Sequence, residues 1–558
     1  MYMNETAVIL STYLPMNKEE IQDLLEQPRQ SSFGDVSFPC FTLSKKFKKS
    51  PSRIASELSQ EIKNPFFSKV EAIGGYVNLF LDQTIVFKHV MEEMMKQREK
   101  YGSHEVGEGK KIVIDMSSPN IAKPFSMGHL RSTVIGNSIG YLYEKLGYEV
   151  TRINYLGDWG TQFGKLIAAY QKWGNDDLIQ ANPIKELLDL YVKFHEVAES
   201  DHSLNAEGRK WFKLLEDGNE TALHLWKWFK DLSLVEFERI YQLLGVRFDS
   251  EQGESFYNDK MIEVIEELRN KQLLIESEGA QIVPLNEEDL PPCLILKSDG
   301  ATLYATRDLA SIFYRKNMYT FDKAVYVVGQ EQSLHFKQVR TVLQKMNYQW
   351  YDQLVHVPFG FILKDGKKMS TRKGKVVLLD QVLQEAISLA MENIEAKNPK
   401  AQDKEKIAKA VGVGAIIFHD LKHNRIHDFE FSIDEMLAFE GETGPYLQYT
   451  YTRIQSLLRK GNFGDGIPLN NHDKEAWEII KILVGFPQII KKACYEHEPS
   501  ILARLLLDLA KEYNSYYHAI KIIDNSVMQQ ARLQLSFIVG VVLKEGLRLL
   551  GIATPDEM

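Results

Sequence analysis

A chain of 558 residues is longer than one hydrophobic core supports, so two to four domains are expected. Charged residues make up 26% and hydrophobic ones 44%, and no apolar run reaches the length of a bilayer span, which excludes a disordered or membrane-embedded chain. The net charge of −9 weighs weakly against nucleic acid, although local patches outrank the total. Cys40, Cys293 and Cys494 are too far apart for a zinc knuckle or a disulfide framework. With no basic-then-apolar leader at Met1 to Glu5, they point to the reducing cytoplasm.

Residues 1–108 read as a small α/β unit. Asn17-Lys18-Glu19-Glu20-Ile21 opens an amphipathic helix toward Leu25, and Phe33 to Pro39 reads as a turn or loop. The run from Lys45 to Arg53 is basic with one aromatic, Phe47; it suits a contact with a phosphate backbone or, equally, a solvated face. Gly74-Gly75 turns the chain into an alternating strand, and a Met-, Glu- and Lys-rich helix from about Val86 leads to a linker at 102–109.

The densest chemistry follows. Ile112-Val113-Ile114 predicts a strand, while Met127, Leu130, Val134, Leu142 and Leu146 recur at helical spacing and Gly147 stops them. The polar turn between them carries Pro124, placed here in the first helical turn, where its missing N–H costs nothing. Such a crossing aims unpaired N–H groups and the positive end of the helix dipole at a cleft, which favours phosphate. No Gly-rich fingerprint is present, so an ordinary βα loop competes with a nucleotide site. A second strand over 148–155 ends in Gly157-Asp158-Trp159-Gly160 and completes a βαβ unit, hence a parallel sheet with its ligands at the carboxyl ends of the strands. Residues 170–290 turn mostly helical and read as an insertion between two halves of the sheet.

Sheet signals resume at Cys293–Leu296, followed by a turn at 298–300, then Thr302 to Asp308 and a helix expected from Leu309. Ala324–Gly329 reads as a buried strand and 354–363 as another. Then, from Lys367 to Lys375, five of nine residues are cationic. Flexible cations after a strand can close over a triphosphate and stabilise a leaving pyrophosphate; a solvated basic loop is the plainer alternative. From about 380 the chain reads as helical to its end. Tyr446, Tyr449 and Arg453 fall at helical spacing, a face able to stack unpaired bases or to pack in a bundle core.

Together these residues resemble a class I aminoacyl-tRNA synthetase, and within that class an arginyl-tRNA synthetase. Ser126-Met127-Gly128-His129 stands where the class carries His-Ile-Gly-His. Lys368-Met369-Ser370-Thr371-Arg372 stands where it carries Lys-Met-Ser-Lys-Ser, about 240 residues on. The arginyl resemblance rests on Ser117-Ser118-Pro119-Asn120 with Ala122-Lys123, Gly128-His129-Leu130-Arg131-Ser132, Gly157-Asp158-Trp159-Gly160-Thr161-Gln162, Tyr304-Ala305-Thr306-Arg307-Asp308, and Gly444-Pro445-Tyr446-Leu447-Gln448-Tyr449. It spans nearly the whole chain. It implies an α/β multidomain fold: a small N-terminal α/β added domain over 1–108 that touches the tRNA elbow, a Rossmann-type parallel-sheet catalytic domain over 109–380 with the insertion, and an all-α stem and anticodon-binding bundle over 381–558. It further implies a cytoplasmic ATP-dependent ligase that works as a monomer, with L-arginine, ATP with Mg2+ and tRNA(Arg) as partners and no structural zinc.

The resemblance also implies roles. Lys123, His129 and Lys368 are the expected catalytic residues, with Ser126, Gly128, Met369 and Ser370 completing the ATP site. Asp115 and Asp308 would grip the guanidinium with Tyr304 beside it, because a planar fork of donors asks for carboxylates in its plane. Asn120 and Gln332 would hold the α-amino and carboxylate end, and Tyr446, Tyr449 and Arg453 would meet tRNA. Asp308 is also a candidate N-cap for a helix from Leu309, and Asp115 a strand-end turn residue. Two departures matter: Ser126 replaces the first signature His, and Thr371 the second signature Lys, for which Lys123 matches a compensating position. The family commonly needs bound tRNA before it activates arginine. A catalytically silent tRNA-binding paralogue remains an alternative, encouraged only by those two departures; a general nucleotidylyltransferase is disfavoured by the long helical C-terminal region.

Overall fold

The computed structural model describes residues 2–28, 30–298, 303–369, 378–464, 466 and 472–558. At the N-terminus, β1 (Val36–Pro39), β2 (Phe67–Ile73) and β3 (Tyr76–Leu81) form an antiparallel sheet in the order β1-β3-β2. The helix Lys18–Leu24 opens where expected: Asn17 Oδ1 accepts from the Glu20 N–H at 2.8 Å and Glu20 Oε2 from the Asn17 N–H at 2.9 Å, a reciprocal cap. Phe33 to Pro39 is not all loop. Its second half is an edge strand, where Pro39 is tolerated and the buried Ser37 hydroxyl is satisfied by Asn78 at 2.6 Å. The basic run is broken by Lys48, at φ 50°, and enters a helix at Pro51 capped by Ser50; Lys49 and Arg53 both pair with Glu57, so part of its charge is neutralised locally.

Next come β4 (Lys111–Asp115) and β5 (Glu149–Ile153), joined by the helix Met127–Lys145. Gly147, at φ 88°, ends that crossover as its sequence implies. The insertion is helical from Thr161 to Asn270 in successive segments, then closes in an antiparallel sheet of β6 (Ile275–Ser277), β7 (Ala280–Val283) and β8 (Cys293–Leu296). Cys293–Leu296 therefore belongs to this small sheet and not to the parallel one. Two more strands, β9 (Lys323–Gly329) and β10 (Leu354–Phe359), complete a four-stranded parallel sheet in the order β10-β9-β4-β5.

The single strand expected over 354–363 is two. After Phe359 the backbone leaves the parallel sheet, and β11 (Ile362–Lys364) pairs with β12 (Lys367–Lys368) and with β13 (Phe429–Glu430). A Cβ at Gly360 would fall 2.6 Å from Ile426 O, so glycine permits the close approach of the two segments at this switch. β13 also interrupts a C-terminal region that is otherwise helical, with long helices at Leu379–Lys397, Lys404–Leu421, Gly444–Lys460, Trp477–Tyr495, Ser500–Ala519 and Gln529–Leu549. Among the described residues no helix is long and apolar enough to cross a membrane, and no cluster of three metal-ligating side chains occurs.

The crossover helix Met127–Lys145 has almost no solvent face: residues 130–140 are all buried. One side packs on the parallel sheet and the other on the C-terminal helices. Four of its polar residues are paired across that second junction. Arg131 Nε lies 3.2 Å from Asp420, Ser138 donates to Leu549 O at 2.9 Å, Tyr143 meets His497 at 2.8 Å, and Lys145 pairs with Glu545 at 2.9 Å. The Arg131 guanidinium also faces the Phe429 ring at 4.9 Å. Both members of the Arg131–Asp420 pair are buried, so removing one strands the other. Arg131→Met should cost about 3–5 kcal/mol, read as a lowered urea midpoint.

Candidate active site

The loop from β4 to the crossover helix is conformationally expensive. Ser117, Ser118 and Ala122 have φ of 71°, 51° and 57°, left-handed values that side chains disfavour by about 1–3 kcal/mol each. Neighbours hold them there. The Ser117 N–H donates to Ser132 Oγ at 2.8 Å and the Ser118 N–H to Asn154 Oδ1 at 3.2 Å. From the insertion helix Glu220–Leu244, Tyr241 meets the Ser117 hydroxyl at 2.8 Å and Ser233 accepts the Ala122 N–H at 2.9 Å. Pro124 lies in this loop and not in the first helical turn, because the helix starts at Met127 with Ser126 as its cap residue.

The second polar turn is a brace. Buried Asp158 receives Lys230 at 2.6 Å and the Ser255 N–H and Oγ, each at 2.8 Å, and its carbonyl takes the Trp226 indole N–H at 2.7 Å. Gly157 passes so close to the loop that a Cβ would fall 2.2 Å from Asn120 Oδ1, so only glycine lets the Asn120 amide sit there.

At the carboxyl ends of β4 and β9 opens a cavity of about 490 Å³. Asp115, Asn120, Tyr304, Asp308 and Gln332 all line it, although they come from widely separated stretches. Asp308 is not a helix cap: the helix expected from Leu309 begins at Tyr304 with Leu303 at the cap position, which puts Asp308 in the second turn and its side chain on the cavity wall. Asp308 Oδ2 takes a hydrogen bond from His335 Nε2 at 2.6 Å. Asp115 is buried with both oxygens engaged, one by Arg315 Nη1 at 2.7 Å and the other by the Ser118 hydroxyl at 2.9 Å. Burial nonetheless lifts the Asp115 carboxyl above its ordinary value, against the pull of Arg315. Asp308 is thus the more available carboxylate.

Sequence reasoning missed Arg315, His335, Glu254, Tyr155 and Tyr326, which line the same cavity. Arg315 was findable: it lies seven residues after Asp308, on the same face of one helix. Tyr155 and Tyr326 flank its guanidinium at 5.1 and 5.7 Å. Glu254 carried no local signal, because only the return of the insertion toward the sheet brings it in.

On the other side of the loop stand the residues expected to meet ATP. The Ser126 N–H donates to His129 Nδ1 at 3.1 Å, so Nδ1 is an acceptor and the proton of the neutral ring sits on Nε2. Burial, and then the charge of Lys123, push His129 down to about 4, which leaves it a neutral donor at pH 7. Ser126 Oγ lies 3.1 Å from the same Nδ1. Lys123 is half-buried, and desolvation lowers its pKa. A Cβ at Gly128 would find only Ser126 Oγ, at 3.7 Å, so nothing within the described residues demands glycine there. Met369 donates its N–H to Ile362 O at 3.1 Å, and Leu379 donates to Phe125 O at 3.0 Å beside a bridge between Ser126 and Leu378. The second signature's flanks therefore meet β11 on one side and the first signature on the other. Ser370, Thr371 and Arg372 lie outside the described residues.

In the C-terminal bundle, Tyr446, Tyr449 and Arg453 do share a helix face. The Arg453 guanidinium lies 4.8 Å from the Tyr449 ring and 5.2 Å from Tyr517, and Asn514 ties Arg453 to Tyr446 at 3.1 and 2.9 Å. Tyr449 is the exposed member.

A parallel sheet with its ligand cavity at the strand ends, a signature turn beside it, and a second signature whose flank returns against that turn define a class I aminoacyl-tRNA synthetase. Family models match throughout: the catalytic domain of class I tRNA synthetases (R) over residues 90–433, the arginyl tRNA synthetase N-terminal domain over 5–81 and the DALR anticodon binding domain over 447–558. The chain belongs to the arginyl-tRNA synthetases. Arginine–tRNA ligase 1 of Bacillus cereus is 56% identical over 544 residues, 97% of each chain, and the arginine–tRNA ligase of Enterococcus faecalis 52% identical over 545 residues, again 97% of each. In fold it is similar to the arginyl-tRNA synthetase of Thermus thermophilus, with a TM-score of 0.80 at 23% identity over 100% of this chain and 99% of that one. That of Plasmodium falciparum gives 0.79 at 24% over 100% and 98%. Nothing in these matches supports the catalytically silent alternative.

Glu254 gives the cavity a pH response. Burial raises its carboxyl to about 7, with Arg307 opposing and Asp308 and Asp158 adding to the rise. Below that pH the group is neutral; above it, it is an anion on the wall of the cavity whose lining the resemblance assigns to arginine. The arginine KM in ATP–pyrophosphate exchange should therefore fall as pH rises from about 6 to about 8, and Glu254→Gln should flatten the profile.

Proposed function

We propose that this chain joins arginine to its tRNA in two steps, with the work divided across the strained loop. In the first step an arginine carboxylate oxygen attacks the α-phosphorus of ATP, a P–O bond forms to it, and the bond to the β-phosphate breaks to release pyrophosphate. In the second a ribose hydroxyl at the tRNA 3′ end attacks the activated carbonyl and AMP leaves. Neither step needs a covalent enzyme intermediate, so the protein's task is positioning and neutralisation of phosphate charge. The observation that carries this reading is the convergence of Asp115, Asn120, Tyr304, Asp308 and Gln332 on one cavity beside the signature helix.

In this reading Asp308, oriented by His335, takes the guanidinium, and Asp115 keeps Arg315 in place while presenting its field to the cavity. Asn120 and Gln332 face the amino and carboxylate end. Lys123 and the His129 Nε2–H meet phosphate, joined by Lys368, while Gly128 allows ATP to approach the backbone; Mg2+ travels with ATP. The N-terminal unit over 1–108 and the bundle over 381–558, with Tyr449 exposed, contact tRNA. The enzyme works as a cytoplasmic monomer. With Asp115 already engaged by Arg315, the discrimination falls to Asp308: a neutral isostere of arginine would leave that carboxylate without its cationic partner and is rejected.

Exchange of pyrophosphate into ATP, assayed across several amino acids with and without tRNA, tests the whole reading: arginine alone should support it, and silence under every condition would sink it. Lys123→Ala should lower turnover by removing about 2–4 kcal/mol of transition-state stabilisation. Gly128→Ala should raise the ATP KM while leaving the melting temperature unchanged. Asp308→Asn should weaken arginine far more than ATP; equal losses would count against its guanidinium role.

A further inference from the structure

Lys123 has an unusual neighbourhood for a half-buried cation. Among the described residues it has no ion-pair or hydrogen-bond partner, and what it meets is an aromatic ring: its Nζ lies 5.6 Å from the centroid of Tyr191. Tyr191 sits on the insertion helix Pro183–Ser200, with its ring itself half-buried. One turn on, His195 meets that ring edge-on, at 4.7 Å between centroids and 63° between planes. Phe194, fully buried, backs His195 at 5.8 Å. The Tyr191 ring is therefore braced from the insertion's own core. Burial, first, lowers the pKa of both His129 and His195; the charge of Lys123 adds to this at His129 and, after that of Lys165, at His195.

A ring and a carboxylate would hold a lysine with different consequences. A carboxylate neutralises the cation and competes with any phosphate that approaches it. An aromatic face attracts the ammonium through its quadrupole, most strongly where water is excluded, and leaves the net charge intact. We propose that Tyr191 is a positioning residue for adenylate formation: its ring holds the Lys123 ammonium, charged and unpaired, beside His129 where the phosphates of ATP must lie. The inference rests on the reading of Lys123 as a phosphate contact. It also gives the insertion a catalytic consequence, since the packing of a helix remote in sequence sets the reach of a lysine in the signature loop.

The test is a double-mutant cycle in the full-length enzyme, read by arginine-dependent ATP–pyrophosphate exchange with tRNA present. Tyr191→Phe keeps the ring and should keep kcat within about twofold, whereas Tyr191→Met and Tyr191→Leu should lower kcat by about tenfold with little change in the arginine KM. In a Lys123→Met background, Tyr191→Met should add less than about a further twofold, because the residue it acts through is gone. An equal loss in both backgrounds would mean that Tyr191 is merely structural and would overturn the proposal. So would full activity of Tyr191→Met and Tyr191→Leu, or failure of Tyr191→Phe to restore turnover. If Lys123→Met itself keeps the wild-type kcat, the phosphate role of Lys123 fails first and the proposal falls with it, and that result is distinguishable from the others by the single variant alone.

Discussion

The rest of the structure depends on the burial of one helix. Met127–Lys145 carries Gly128 and His129 at its open end and is enclosed along the rest of its length, by the parallel sheet on one side and the C-terminal helices on the other. The buried pair Arg131–Asp420 locks the second contact two residues from His129. Buried ion pairs contribute little net stability compared with apolar packing, but a misplaced partner is very costly, so such a pair fixes orientation. Here it ties the signature helix to the stem helix Lys404–Leu421, and through the Phe429 face to the sheet that β11 and β12 share. The two signatures are thus anchored to a common element, though they are far apart in the chain.

A second constraint is the strain in the loop before that helix. Three left-handed residues among Ser117 to Ala122 survive because Ser132, Asn154, Ser233 and Tyr241 supply specific hydrogen bonds. Two of those four come from the insertion, which also grips Asp158 through Trp226 and Lys230. The insertion is therefore a brace for this loop, and its stability and the shape of the loop are linked. The same packing brings Glu254 to the cavity at the strand ends and lays Tyr191 against Lys123.

Much of this was legible in the chain because the signals were local. The strand–turn–helix at 111–145, the glycine stop at Gly147 and the helix opening after Asn17 each depend on residues within a few positions of one another. The readings that failed were those where tertiary contact overrides local preference. Val36–Pro39 is a strand because β3 pairs with it, despite turn-like residues around it. The stretch over 354–363 divides because β13, distant in sequence, captures its second half. Helix Tyr304–Tyr319 starts five residues before Leu309, which turns Asp308 from a cap into a wall residue.

The sequence by itself determined the family, the two signatures and the residue types that arginine and phosphate demand, because those requirements are chemical and are carried by short contiguous motifs. Only the tertiary structure decided which carboxylate is already committed to a guanidinium of the protein itself. Asp115 and Asp308 are equivalent as letters, but Arg315 engages the first and His335 orients the second. It also decided that the Lys123 ammonium meets a ring and no carboxylate among the described residues, and that Glu254 reaches the cavity with its carboxyl raised to about 7. The physical reason is the same in each case. Charge and proton affinity in a dry site depend on what the fold packs within a few ångströms, and those neighbours come from parts of the chain that no local pattern connects.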